Sequence, residues 1–291
     1  LIKPSIIAPA YPYQAVNTNP LLLDEIIKML NGRGFSDILV AEQAMPGNDV
    51  MEAANKSGIL DVCEKHKVKF ADLGKAEYVE KEEDGFKFNI VKEIMERRII
   101  NVPVMKTNSQ IGVSGAMENM LRVVDLETQK RMFAEDIERT LPKLIKTLPK
   151  FLTIGDATLG MHGQGPTSLG EPAFLNMLFV SKDAVALDSV FSEAGIIRKP
   201  RYVKEASSIG AGNGEIKDLE IVGDDIEAIK YNLKAADRGS SAHPRIMLID
   251  GKSDPYIFNT ALKISSKLVG LGGYEMHIAI GKFFTQEMLE G

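Results

Sequence analysis

The sequence predicts an α/β protein with a mainly parallel sheet, helices on both of its faces, and a small α/β addition at the C-terminal end. Three observations carry this reading. Short continuous apolar runs such as Ile38-Leu39-Val40-Ala41 alternate with segments of helical periodicity, as expected of strands covered on both sides. The first 41 residues read strand, helix, strand, a unit whose strands are parallel and whose crossover is right-handed. A chain of 291 residues that is 44% hydrophobic is long enough to bury a substantial core.

Leu1–Ile7 reads as a first strand, and a loop rich in Pro, Asn and Tyr follows it. Asn19-Pro20 supplies an N-cap and a first-turn proline for a helix over Leu21–Leu30, and Gly32 and Gly34 end it. Asn48–His66 reads as a second helix and Val68–Ala71 as a third strand. The charged stretch Tyr78–Phe88, flanking Gly85, reads as an exposed hairpin or excursion. Ile99–Met105 is apolar enough for a central strand, with Pro103 marking a bulge or the last ladder position. Ile111–Val124 carries Gly112 and Gly115 ahead of an apolar stripe, and Gln129–Lys146 reads as one amphipathic helix. Phe151–Ile154 is the next strand, and Thr158–Pro172, with four glycines, reads as a loop. Leu175–Val180 and Leu219–Val222 read as strands, with helices over Asp183–Ala194 and Arg201–Gly210 between them. The tail repeats the pattern over Arg245–Ile249, Tyr256–Leu268 and Glu275–Ile280, after a polar linker at Ala235–His243. These readings divide the chain into an α/β domain over residues 1–234 and a βαβ-like extension over 244–291.

Composition narrows the partners. A net charge of -5 with 26% charged residues offers no cationic field for nucleic acid or anionic lipid. The apolar runs fall short of the roughly 20 residues that a membrane span needs. A single cysteine, Cys63, excludes an internal disulfide and any iron–sulfur cluster ligated by four cysteines of this chain. Cys63 falls on the apolar side of a helix, as a structural thiol does. A reducing cytoplasm suits such a chain. The opening Leu1-Ile2-Lys3-Pro4 reads as the end of a strand without an initiating Met, so upstream residues are expected.

Several blocks in order are similar to the domain-of-unknown-function family 362. They are Leu1–Ser5, Ile100–Asn108, Gly112–Met120, Asp156 with Gly163-Gln164-Gly165-Pro166, and Asp183–Asp188. The resemblance runs over about residues 1–230 and implies no particular reaction. Relatives carry His where Asn108 stands and Lys where Glu118 stands, so two cationic or proton-donating groups are replaced in this chain. Some relatives also carry a ferredoxin-like segment with cysteine-rich motifs, which suggests an iron–sulfur partner. This chain has no such segment.

In open parallel sheets, ligands bind beyond the carboxyl ends of the strands. Lys3, Glu42, Lys106 and Asp156 all fall at or just past such ends. Lys106-Thr107-Asn108 offers a point charge and adjustable hydrogen bonds to a carboxylate or phosphate. A helix starting near Gly112 or Ser114 would aim free amides at the same anion, and Gly115 would let backbone approach. Asn119 lies on that helix, while Gly163 and Gly165 make a loop able to wrap a ligand. The ordinary alternative is that these charges and glycines serve solvation and packing. Asp156 and His162 are candidates for moving a proton, and Glu42 with Asp156 for holding a divalent metal.

No nucleotide fingerprint is present. The glycines of Gly210–Gly214 follow a helix and precede a predicted strand, the reverse of the dinucleotide order. No GxSxG elbow supports covalent catalysis. Asp183 and Asp188 read first as caps of helix N-termini. The expected function is an enzyme acting on a small anionic substrate with a metal or an external cofactor. The alternatives are a non-catalytic ligand carrier and a partner of iron–sulfur proteins.

Overall fold

A computed structural model describes residues 1–167 and 169–236, which form one compact unit. The strands and helix predicted in the tail, and the extension over 244–291, lie outside the described residues.

The chain opens with β1 (Ile2–Pro4) and a long loop to α1 (Pro20–Gly32). The Asn19 side chain caps α1 by accepting from Leu21 N, with Pro20 in the first turn, as the sequence predicts. β2 (Leu39–Glu42) is followed by α2 (Val50–Lys56) and α3 (Ile59–His66). The single helix expected over Asn48–His66 is therefore two. Gly58 sits between them at φ +76°, a left-handed conformation that a continuous helix cannot contain. After β3 (Lys69–Asp72), β4 (Tyr78–Glu83) and β5 (Phe86–Val91) form the predicted hairpin. Only one of its faces is solvated, because Phe86, Phe88 and Ile90 alternate inward as a buried stripe.

α4 (Lys92–Glu96) leads to β6 (Ile100–Val102) and β7 (Val104–Asn108), the two halves of the predicted central strand, parted at Pro103. Proline lacks an N–H, and its carbonyl instead accepts from Asp156 N at 2.7 Å. β8 (Gly112–Ser114) turns back on β7, and α5 (Ala116–Asn119) follows directly. α6 (Leu126–Glu135) and α7 (Ile137–Thr147) replace the single helix expected over Gln129–Lys146. Asp136 is extended between them and caps α7 through Glu138 N.

The largest correction concerns β9 (Leu152–Gly163), which continues as a strand into the first part of Thr158–Pro172, the segment read as a glycine loop. Its glycines are there for close approach. A Cβ at Gly155 would lie 2.9 Å from Met105 Sδ, and one at Gly160 would lie 2.8 Å from Met105 O. β10 (Gly170–Ala173) and β11 (Met177–Ser181) pair antiparallel with β9. α8 (Ala184–Ala194), capped by Asp183, and α9 (Arg201–Ser208) complete the regular elements. Gly210, at φ +72°, turns the chain after α9, as a helix-ending glycine does. The strand expected over Leu219–Val222 does not form; Val222 is 87% exposed.

Parallel pairing joins β3, β2, β1, β6 and β9 in that order, with β7 also parallel to β9. Asp156 pairs with Val104 on one side and Leu178 on the other, and Thr153 with Asn101 and Ser181. Hence β6 and β7 share one edge of β9, opposite β11. The sheet is mixed and mostly parallel, with helices against both faces. Leu23, Ile26 and Ile27 of α1 and Ile59 and Val62 of α3 cover one face through Ile2, Val40 and Ile154. The other core gathers Met117 of α5, Leu141 and Leu144 of α7, and Leu187 and Phe191 of α8.

Candidate functional site

The carboxyl ends of β1 and β2, with β7 and the middle of β9, bring together a buried set of charges. Lys3 and Glu42 are both fully buried and paired, with Lys3 Nζ 2.9 Å from each carboxylate oxygen. Glu42 also accepts from Ile6 N and Gln43 N, so its oxygens are filled. Burial raises the Glu42 carboxyl and lowers the Lys3 ammonium, while their contact opposes both shifts.

Lys106 differs. Its side chain is buried, yet its partners are two main-chain carbonyls, Val16 O at 2.6 Å and Pro166 O at 3.3 Å. Among the described residues no carboxylate forms an ion pair with it. Burial pulls its pKa from 10.5 down to about 8, against the fields of Glu118, Glu42 and Asp156. Those fields place Lys106 in the same electrostatic neighbourhood as the Lys3–Glu42 pair. The two carbonyls come from the loop before α1 and from the β9–β10 turn, so both segments roof the ammonium.

Asp156 is buried beneath α1. Its Oδ2 accepts from Asn19 N at 2.8 Å, and its Oδ1 from Thr158 N at 3.1 Å and Thr158 Oγ1 at 2.6 Å. It anchors the start of α1 to β9. Asn119 donates to Asn101 Oδ1 at 2.8 Å and to Pro4 O at 3.3 Å, tying α5 to the strand ends.

The other predicted site residues hold turns. Thr107 Oγ1 donates to Gly163 O, and Ser109 N to Gly165 O, binding β7 to the β9–β10 turn. A Cβ on Gly165 would stand 2.2 Å from Thr107 O. Asn108 closes the β7–β8 turn through Gln110 N, Ile111 N and Ser114 Oγ. His162 is part of β9 and lies in no loop. Its Nδ1 accepts from Lys234 N, and Glu171 and Tyr231 flank its ring, so its partners are not those of Lys106. Burial lowers its pKa.

The α5 amides are already taken. Ala116 N and Met117 N donate to the Asp188 carboxylate at 2.6 and 3.1 Å, and Tyr202 Oη donates to it at 3.2 Å. Asp188 therefore caps α5 from inside α8, where the sequence suggests it caps its own helix. Gly115 is required because a Cβ would fall 2.1 Å from Asp188 Oδ1. Asp188 is fully buried, and its carboxyl is pushed up to about 7.

Two residues that the sequence did not single out as ligands complete the neighbourhood. Arg122, 9% exposed, donates from Nη1 to Gln129 Oε1, while its buried Nε has no partner. Glu118 acts electrostatically on Lys3, Lys106 and Arg122 alike. Their four-residue separation on one turn of chain was the available signal. Among the described residues no three His, Cys, Asp or Glu side chains converge as metal ligands, and Glu42 and Asp156 are each engaged by protein donors. Cys63 is buried on α3, and burial raises its thiol to about 11. An open cleft at the end of α8 is walled by Glu193, Asp224, Asp225 and Glu227, the wrong sign for an anion.

The fold is that of an α/β protein with the cations Lys3 and Lys106 buried on strands of a mostly parallel sheet. The chain belongs to the family described as the domain of unknown function DUF362, whose model matches residues 1–193. No curated protein matches it. Among the described residues no helix is long and apolar enough to cross a membrane.

Proposed function

We propose that the chain binds a small anionic molecule beside β7, with Lys106 as its counter-charge. The observation that carries this reading is Lys106 itself, a buried ammonium held only by carbonyls. The fall of its pKa from 10.5 to about 8 corresponds to about 3 kcal/mol against the charged form. An incoming carboxylate or phosphate would remove that penalty and replace the Val16 and Pro166 carbonyls. Perturbed ionisable groups of this kind cluster at functional sites.

An enzymatic role would use Lys106 as the proton-exchanging group, because a pKa near 8 leaves both forms populated close to neutrality. The carrier reading is favoured by one observation: every oxygen of Asp156 is occupied and His162 faces elsewhere, so neither stands ready as acid or base. A divalent metal or external cofactor would have to arrive with the ligand or a partner, and an iron–sulfur partner would bring its own cluster.

A thermal-shift screen of carboxylates, phosphates, metals and nucleotides on wild type and Lys106→Met tests the reading. A ligand at one hundred times its Kd stabilises by about 2.7 kcal/mol. The stabilisation should vanish in the variant, and anion affinity should fall as pH rises above 8. An anion that stabilises both chains equally would overturn the proposal.

A further inference from the structure

We propose that the anion site has a second half: Arg122 Nε extends the cationic wall beside Lys106, and Glu118 opposes them with a free acceptor. The ligand is then a small acid bearing a hydrogen-bond donor, a hydroxyl or an ammonium, next to its anionic group. This inference rests on the anion site proposed above and specifies its ligand.

Three observations carry it. Arg122 is 9% exposed and its Nε is a buried donor without a partner, an arrangement that is costly unless something fills it. Its Nη1 is pinned by Gln129, whose Nε2 is held by Val124 O, so the guanidinium cannot swing away to find one. Glu118 is half-buried and its carboxylate makes no hydrogen bond or ion pair among the described residues, although Lys3, Lys106 and Arg122 all lie within its field. Lys3 is spent on Glu42. That leaves two cations with capacity for an anion and one carboxylate with capacity for a donor. A simple anion would satisfy the cations and be repelled by Glu118. An acid with an adjacent hydroxyl or ammonium would satisfy all three.

The test is isothermal titration calorimetry on the full chain with acids that differ by one hydroxyl, acetate against glycolate and succinate against malate. Wild type should bind the hydroxy acid of each pair about tenfold more tightly, the size expected of one hydrogen bond to a charged group. Glu118→Met should bind both members equally. Arg122→Met should lose about tenfold on both members while keeping the preference. If Arg122→Met does not fold, Arg122→Lys keeps charge and stem without Nε and should show the same loss.

A wild type without preference, a Glu118→Met that retains it, or an Arg122 variant that binds like wild type would each overturn the inference. If the acids bind in a Lys106-dependent way and the hydroxyl makes no difference, only this inference falls. If no acid binds wild type, or binding ignores Lys106→Met, the anion site falls and takes this inference with it.

Discussion

Replacing Asp188 with asparagine separates the ionisation of a buried carboxylate from its shape. The group is fully buried, and loss of water raises its pKa from 3.8 to about 7 even though two amides and Tyr202 favour the ionised form. Because the folded-state pKa lies above the unfolded one, the folded chain holds the extra proton between about pH 4 and 7. Stability therefore falls as pH rises through that window and levels off above it. At 1.36 kcal/mol for each of about three pH units, the fall is about 4 kcal/mol. Asparagine cannot ionise, and its NH2 must face one of the two α5 amides. Near pH 5 the substitution should cost about 1–3 kcal/mol for the bond it spoils. Near pH 8, where wild type carries the buried charge, the cost should shrink to nothing or reverse. Urea unfolding of both chains across this range, followed by circular dichroism, gives the difference directly. A cost that is the same at both ends of the range would refute the assignment of a raised pKa to Asp188.

Gly115→Ala should destabilise by at least about 2 kcal/mol, because its Cβ would enter the space of Asp188 Oδ1 at 2.1 Å and meet Met105 Cε at 3.1 Å; an unchanged urea midpoint would show that Asp188 is not seated on α5. Lys3→Met alone should cost about 3–5 kcal/mol by stranding Glu42, and Lys3→Met/Glu42→Gln should regain most of it, because a buried pair is worth little beyond its own neutralisation. Strict additivity of Lys3→Met and Glu42→Gln in a double-mutant cycle would refute that coupling.

What was legible followed from local rules. The Asn19-Pro20 cap, the parallel β1-α1-β2 unit and the Pro103 interruption are each set by neighbouring residues, and each appears where the residues require. What was not legible depended on distant contacts. Gly160 looks like a loop residue until β7 is laid beside it, when a Cβ there would stand 2.8 Å from Met105 O. Asp188 reads as a helix cap from its type and position. Only the packing of α8 against α5 reveals that the helix it caps is a different one.

The same distinction explains the site. A strand that ends in Lys, Glu or Asp announces a charged rim, but of the four residues read that way only Glu42 ends its strand; Lys3, Lys106 and Asp156 lie inside β1, β7 and β9, which run on past them. Sequence cannot say which charges are already spent. Glu42 is spent on Lys3, Asp156 on the start of α1, and Asp188 on α5. Among the described residues the groups left with capacity are Lys106, Arg122 and Glu118, and of these Lys106 alone stands on a strand, in the middle of β7. Arg122 and Glu118 sit one helical turn apart in the segment after β8, and α5 is held in place by the Asp188 cap. Loss of that cap would release Glu118 with it, so the acceptor half of the proposed site would depend on Asp188, a carboxylate engaged by α5 and Tyr202.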